Sequence, residues 1–587
     1  MSNRVWLAGN TLTVASGGSI DVRNCGYTVG PCWSKAGKSA HYQQGAVYGG
    51  GYFGAWGYNG GPDPYGDAEW PTDPGSKSGG GAVRLDFTGT VRIDGLVTAD
   101  GEPKAYGTGS SGGGILIVCD RITGSGEVLA RAREKRTSTF YYLGYGNGNG
   151  GGGGRIAVHF TPASQAAVTD CMVRFDASSS ICSDPRPQVG FGKWTGYATS
   201  AEDSITLMPP GTLWMPDATL LRAASYRTAG WKFGGEWVSP APVGDLVFDD
   251  PILFDQCCLV LPSSCSNFTA LSGMTLTGTG MYGRREMGVF LSNTVVTVHG
   301  DIAASGARLE LYGGSLTVDG NVNLTDNGYV QNNFACRFNG GEVAVKAAET
   351  NGTDRAYGAT VRVTGTVNIS TNSTFYLGCQ PTDGAIVHMS AHRVNVDLGG
   401  KISSENGGWK AYSGPGRGRS YSPAASHGGR GCPTNQAASV YGSEERPVEP
   451  GSGAARCGGG VVRLEIDRVL TLNGEINADA GRYIGEQYSS AGAGGSVYVR
   501  VPHLVGSGFF SAAGGLSDQS SYSYAAGGGG RVAIWTRDTA KWTGTASAEG
   551  GYKHQSSGTT EALEEKKGED GTVHWHYLPG PLCVIVK

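Results

Sequence analysis

The sequence predicts an all-β fold: a right-handed parallel β-helix (β-solenoid) with a duplicated glycine-rich module and long loop insertions. Three observations predict it. Glycine is heavily over-used, a short strand–glycine–strand unit recurs along the chain, and two distant stretches repeat one another block by block.

Glycine supplies 100 of the 587 residues, against an average usage of roughly 7%. There is no Gly-X-Y period and Pro numbers only 25, so a collagen helix is excluded. Apolar residues make up 39% and charged residues 16%. That balance argues against disorder, which needs low hydrophobicity and high charge. Few charges with many small and β-branched residues suit short strands and tight turns.

The recurrent unit reads apolar-x-apolar-x-Gly-x-apolar. It occurs at Val91–Val97, Val296–Ile302, Leu316–Val322, Val361–Val367 and Leu470–Ile476. Period-two alternation marks half-buried strands, and the central glycine marks a sharp bend. Gly300 and Gly320 are 20 residues apart, a coil length suited to a solenoid.

The duplication is visible as six matched blocks in the same order, the first without a gap. Tyr65–Ser76 matches Tyr441–Ser452, Gly79–Asp86 matches Gly458–Glu465, and Val91–Asp100 matches Leu470–Asp479. Gly112–Val118 has its partner in Gly494–Val499, Gly124–Gly126 in Gly506–Gly508, and Gly151–Val158 in Gly527–Ile534. The expected organisation is glycine-rich module one over 1–160, a less repetitive β-rich connecting region over 161–268 and a short-repeat solenoid over 269–390. Module two follows over 391–540, and a C-terminal capping segment over 541–587.

Net charge is -4 with no basic run, so a nucleic-acid partner is not expected. No apolar stretch reaches the roughly 18 residues of a membrane span. The start, Met1 to Trp6, enters strand-like sequence at once and carries no signal peptide. An extracellular or cell-surface location would then require a leader removed upstream, or release as part of a virion.

Thirteen cysteines lie mostly in glycine-rich or polar stretches. Cys25 with Cys32, Cys171 with Cys182, and Cys432 with Cys457 are the candidate disulfides of an oxidising compartment. No paired C-x-x-C sets point to zinc. Sequons begin at Asn267, Asn323, Asn351, Asn368 and Asn372.

Candidate ligand contacts sit in the long insertions before the triple glycines. Tyr52, Trp56, Tyr58 and Trp70 belong to the first, and Tyr412, Tyr421 and His427 to the second. Aromatic rings can stack on sugar faces. The plainer alternative is a loop that caps its own sheet with its aromatics as a private core, a role favoured for Tyr65 and Tyr441 by their place in the duplicated motif. Asp63, Asp67, Glu69 and Asp73 are close enough in sequence to hold Ca²⁺. Arg155 and Arg531, each directly after a glycine run, are expected to bond loop carbonyls rather than a ligand. His574 and His576 share one strand face; an edge-strand pair is favoured there over a metal site. No H-E-x-x-H, G-x-S-x-G or P-loop pattern is present, and no catalytic set is assigned.

The blocks Gly79–Leu85, Gly112–Val118 and Gly151–Val158 resemble the glycine-rich β-solenoid surface proteins and adhesins of bacteria. That resemblance implies secretion or surface display, with adhesion or scaffolding as the role. The functional expectation is therefore a surface solenoid that contacts glycans, polysaccharide or a cell surface and needs no cofactor. A polysaccharide lyase or glycoside hydrolase on a β-helix is the second reading. A self-associating fibre or spike subunit of a filament or virion is the third.

Overall fold

The computed structural model describes residues 4–28, 48, 65–76, 78–101, 110–132, 152–179, 210–278, 288–326, 340–350, 357–419, 422–481, 490–518, 525–554 and 567–579. These residues are almost entirely β, and every strand pair between named strands is parallel. The chain divides into two compact units, with the described residues up to Ser292 in the first and those from Asn293 onward in the second. Each unit is a parallel β-solenoid.

In the first unit, Arg4–Gly9, Ala82–Phe87, Gly114–Val118, Arg155–His159 and Thr212–Trp214 stack in that order as one ladder. Leu12–Val14, Thr90–Ile93 and Arg121–Thr123 form a second. Ser19–Asp21, Leu96–Thr98, Glu127–Leu129, Arg174–Asp176 and Phe233–Val238 form a third. The second unit stacks Val461–Leu472, Ser496–Gly506, Arg531–Trp542 and Thr572–Tyr577 on its first ladder. Its third ladder carries Lys401–Ser403, Glu475–Asn477, Phe509–Ser511 and Thr545–Ser547. Ile302 faces Val322 in register, which reproduces the 20-residue coil (322 − 302) expected from the glycine spacing.

Registered pairing places like residues above one another. Val462, Val497 and Val532 form one fully buried column, and Leu464, Val499 and Ile534 another. Burying each such side chain contributes about 1.5–3 kcal/mol, so stability accumulates coil by coil. Polar columns follow the same logic. Asn368 Nδ2 donates to Asn323 Oδ1 and Asn395 Nδ2 to Asn368 Oδ1, both at 2.8 Å. Asn323 and Asn368, both sequon residues, thus share a half-buried side-chain ladder in which Asn368 donates and Asn323 accepts.

The triple glycines close each coil. Gly113, Gly154 and Gly211 N–H groups donate to the carbonyls of Ala99, Ala130 and Ala177 at 2.7–2.9 Å. In the second unit Gly495, Gly530 and Gly571 donate to Ala478, Ala512 and Ala548 at 2.7–2.8 Å. A Cβ placed on Gly80 or Gly459 would fall on the Ala99 or Ala478 carbonyl oxygen, well inside van der Waals contact. Only glycine lets the two backbones approach this closely. Every long insertion in these modules leaves at this same corner, between a third-ladder strand and the next first-ladder strand.

The cysteine expectation needs correcting. No disulfide joins any two of the described cysteines, and Cys25 and Cys171 carry free thiols; Cys32 and Cys182 lie outside the described residues. Cys432 packs against Ala424 and Ala525, while the Cys457 backbone lies over Gly492. Most of these side chains are small core fillers rather than cross-links. Burial pushes the Cys119, Cys257 and Cys379 thiols up to about 12 and that of Cys171 up to about 11. Thiols held in the protonated form react slowly.

Gly459→Ala is expected to destabilise the second unit by several kcal/mol, because the added methyl must displace a backbone carbonyl. Gly9→Ala, whose new Cβ would meet only the Phe87 ring at 3.1 Å, is the control and should change the urea midpoint far less.

Candidate functional site

The two modules strap their insertions over the outer face of the first ladder with the same bonds. Tyr65 Oη donates to Pro74 O at 2.6 Å, and Tyr441 Oη to Pro450 O at 2.6 Å. Arg155 Nε donates to Tyr65 O and Nη1 to Thr212 Oγ1, at 3.1 and 3.2 Å. Arg531 repeats both bonds with Tyr441 O and Thr572 Oγ1, at 2.9 and 3.1 Å. The guanidinium groups are thus loop fasteners, as the sequence suggests. A third strap joins His159 Nε2 to Glu69 O at 2.9 Å, matched by Trp535 Nε1 to Glu445 O at 2.8 Å. The repeat extends further than the matched blocks, since Thr212 and Thr572 occupy equivalent places on the next coil.

Beneath these straps the two faces differ. In module one, outward positions carry Leu116, Val118, Ala157 and Trp214, which pack as an apolar cluster with Val238. Trp70, the residue after Glu69, stacks on His159 at 4.4 Å, and His159 stacks on Trp214 at 4.1 Å. The strap therefore delivers an indole that closes the face. Trp70 remains 45% exposed, but one side of its ring is taken by His159.

In module two the same positions carry polar and aromatic groups. Tyr498 and Arg500 stand where Leu116 and Val118 stand in module one, His574 replaces Trp214, and Arg446 follows Glu445 where Trp70 follows Glu69. The result is an open groove of about 280 Å³ lined by Arg446, Val448, Arg463, Glu465, Tyr498 and Arg500. Its rows follow strand register. One runs His388, Arg463, Tyr498, Ala533, His574 and the other Ser390, Glu465, Arg500, Trp535, His576.

The groove is held from within. Arg463 Nη2 meets Glu465 Oε1 at 3.0 Å, and its guanidinium lies 5.0 Å from the Tyr357 ring and 5.7 Å from that of Tyr498. Tyr357 stacks on His388 at 4.7 Å, and His388 Nε2 stands 3.5 Å from Glu465 Oε1. Burial alone would raise the Glu465 pKa, but the Arg463 hydrogen bond and the His388, Arg463 and Arg500 charges bring it below the ordinary carboxylate value. Burial lowers that of His388, opposed by the Glu465 charge. Trp535 stacks on His576 at 4.3 Å to extend the floor. Arg446 and Arg500 point to solvent and have no carboxylate within ion-pairing distance among the described residues.

Other expected site residues fall elsewhere. His427 is fully buried, tilted against the Tyr441 ring at 4.6 Å, with Nδ1–H donating to Gly494 O at 2.8 Å. It is an internal prop and not a ligand contact, the same role that buried Tyr48 plays against Tyr65 at 4.9 Å. Tyr412 is half-buried, with its backbone N–H on Ala454 O. Tyr52, Trp56, Tyr58, Tyr421 and Asp63 lie outside the described residues. Asp67 Oδ1 accepts the Glu69 and Trp70 N–H groups, and Asp73 pairs with Arg4 at 3.0 Å. Among the described residues no three His, Cys, Asp or Glu side chains come together as a metal site. His574 pairs with Glu444 at 3.2 Å.

No family model matches the chain, and neither a curated protein nor a solved structure matches it. Among the described residues, no helix is long and apolar enough to cross a membrane.

Burial and the nearby Arg531 charge push His427 down to about 4, below the roughly 6.5 of an unfolded imidazole. The unfolded chain therefore binds more protons between those values, and stability is lost as pH falls through that window. His427→Gln should remove this contribution. The stability gap between wild type and variant is expected to narrow by about 3 kcal/mol from pH 7 to pH 4, measured by urea unfolding.

Proposed function

We propose that this protein is an extracellular or surface-displayed β-solenoid that holds a glycan chain along the outer sheet face of its second module, in a binding or adhesive role. One observation carries the reading. The two modules share their straps, yet only the second replaces the apolar lid of Trp70, Leu116 and Val118 with an open floor of Tyr498, Arg500 and Arg446. A face built only for stability would gain from the dry version.

The geometry suits a linear polymer. Strand neighbours repeat about every 4.8 Å along a stack, close to the length of one pyranose unit, so successive sugars would meet successive coils. Half-buried Trp535 offers ring surface for sugar C–H faces, Tyr498 lies at 7% exposure in the groove floor, and Arg463 and Glu465 offer donors and acceptors for hydroxyls. The resemblance of the glycine blocks to bacterial surface adhesins points the same way. A face that presents stacking and hydrogen-bonding groups without a converging acid pair is suited to holding rather than cleaving.

A polysaccharide array should register binding, and Trp535→Ala should weaken it about tenfold through loss of a stacking partner. Leu116→Ala in module one should leave it unchanged. Absence of binding to every polymer, or equal loss from Leu116→Ala in a folded protein, would contradict the reading.

A further inference from the structure

The groove's charges narrow the class of glycan. We infer that it selects a polyanionic polysaccharide, one bearing a carboxylate or sulfate on most of its sugars; the inference rests on the glycan-binding reading above. Arg446, Arg463 and Arg500 face a single lining carboxylate, Glu465. That carboxylate is already engaged by Arg463 and His388. The excess is therefore carried by Arg446 and Arg500, both exposed and with no carboxylate at ion-pairing distance among the described residues, Arg500 acting on Glu465 only through its charge. Of the strap acids, Glu444 is turned to Arg531 at 3.2 Å and His574 at 3.2 Å.

This local charge stands out against the rest of the chain. The protein is net acidic at -4, so a cationic groove is not the consequence of a generally basic surface. Module one again supplies the comparison. Its Arg84–Asp86 pair, at 2.8 Å, occupies the Arg463–Glu465 position and is covered by Trp6, whose Nε1 donates to Asp86 at 2.7 Å. The positions of Arg446 and Arg500 are Trp70 and Val118 there. Two cations thus occupy places where the duplicated copy has apolar side chains. A neutral glycan would need the rings and hydrogen-bond donors but would leave both charges unanswered. A carboxylate or sulfate takes the two parallel N–H groups of a guanidinium fork.

Register fixes how the anions would be spaced. Arg500 lies directly beside Glu465 on the neighbouring coil and beside Trp535 on the next. Arg463 lies beside Tyr498. Each row thus sets one ring after one cation on the next coil, Tyr498 after Arg463 and Trp535 after Arg500, so a sugar stacked on Trp535 places the acid group of its neighbour near Arg500. Nucleic acid offers the same charge but would require base-stacking surface along a longer basic track.

The test uses the full chain at low ionic strength with four probes: polygalacturonate, the same polymer fully methyl-esterified, dextran sulfate and single-stranded DNA. Polygalacturonate is expected to bind at least about tenfold more tightly than its methyl ester, with affinity falling as salt rises. Arg500→Gln and Arg446→Gln should each remove most of that preference, bringing polygalacturonate binding down toward that of the ester, while leaving the unfolding midpoint unchanged. Tighter binding of dextran sulfate than polygalacturonate would assign the anion as sulfate, and the reverse as carboxylate. Equal binding of polygalacturonate and its ester would overturn the inference and leave the glycan reading standing. Binding to DNA alone, or to none of the polymers, would overturn both.

Discussion

The seat of an alanine carbonyl against a bare glycine backbone is the contact on which the rest of this structure depends. At each such corner the Ala99- or Ala478-type oxygen accepts an N–H from one glycine block and fills the space where the glycine of the preceding coil would carry a Cβ. The coil is pulled shut with no side chain at the seam. That closure sets strand register, and register then stacks valine on valine and asparagine on asparagine. It also sets every long insertion to leave at one corner, and the described straps lie over the outer face of the first ladder.

From this constraint follows the difference between the modules. Both insertions are strapped at the same three points, through a tyrosine carbonyl, a glutamate carbonyl and a tyrosine hydroxyl. What the strap carries to the face is decided by the next residue, Trp70 in one copy and Arg446 in the other. Together with the exchange of Leu116 and Val118 for Tyr498 and Arg500, that residue changes a dry cluster into a wet groove. Buried support remains alike, since His427 props Tyr441 as Tyr48 props Tyr65. Buried support and open groove thus occupy different shells of one repeated frame.

Much of the frame was legible in the sequence. Glycine blocks in matched order announced the duplication, and alternation with a central glycine announced the coils. The carbonyl-bonding role of Arg155 and Arg531 followed from their place directly after a glycine run. The groove was not legible, because Arg463, Tyr498 and Arg500 read as ordinary outward strand residues; only register brings them side by side. A signal did exist: aligning Gly112–Val118 with Gly494–Arg500 sets Leu116 and Val118 against Tyr498 and Arg500 at positions that alternation marks as outward. His427 misled for the opposite reason. A histidine in a glycine-rich insertion looks exposed, yet the insertion folds back over the sheet and buries it. The cysteines misled likewise, since glycine-rich flanks here mean tight backbone packing rather than open loops.

The most direct test of the central claim is chemical footprinting of arginines with phenylglyoxal, read by peptide mass spectrometry with and without a bound anionic polysaccharide. Arg446 and Arg500 are predicted to label readily in the free protein and to be protected when the polymer is present. Arg155 and Arg531, locked under their straps, should label poorly in both states. Unchanged labelling of Arg446 and Arg500 at saturating polymer, or protection confined to arginines of the first module, would contradict the account.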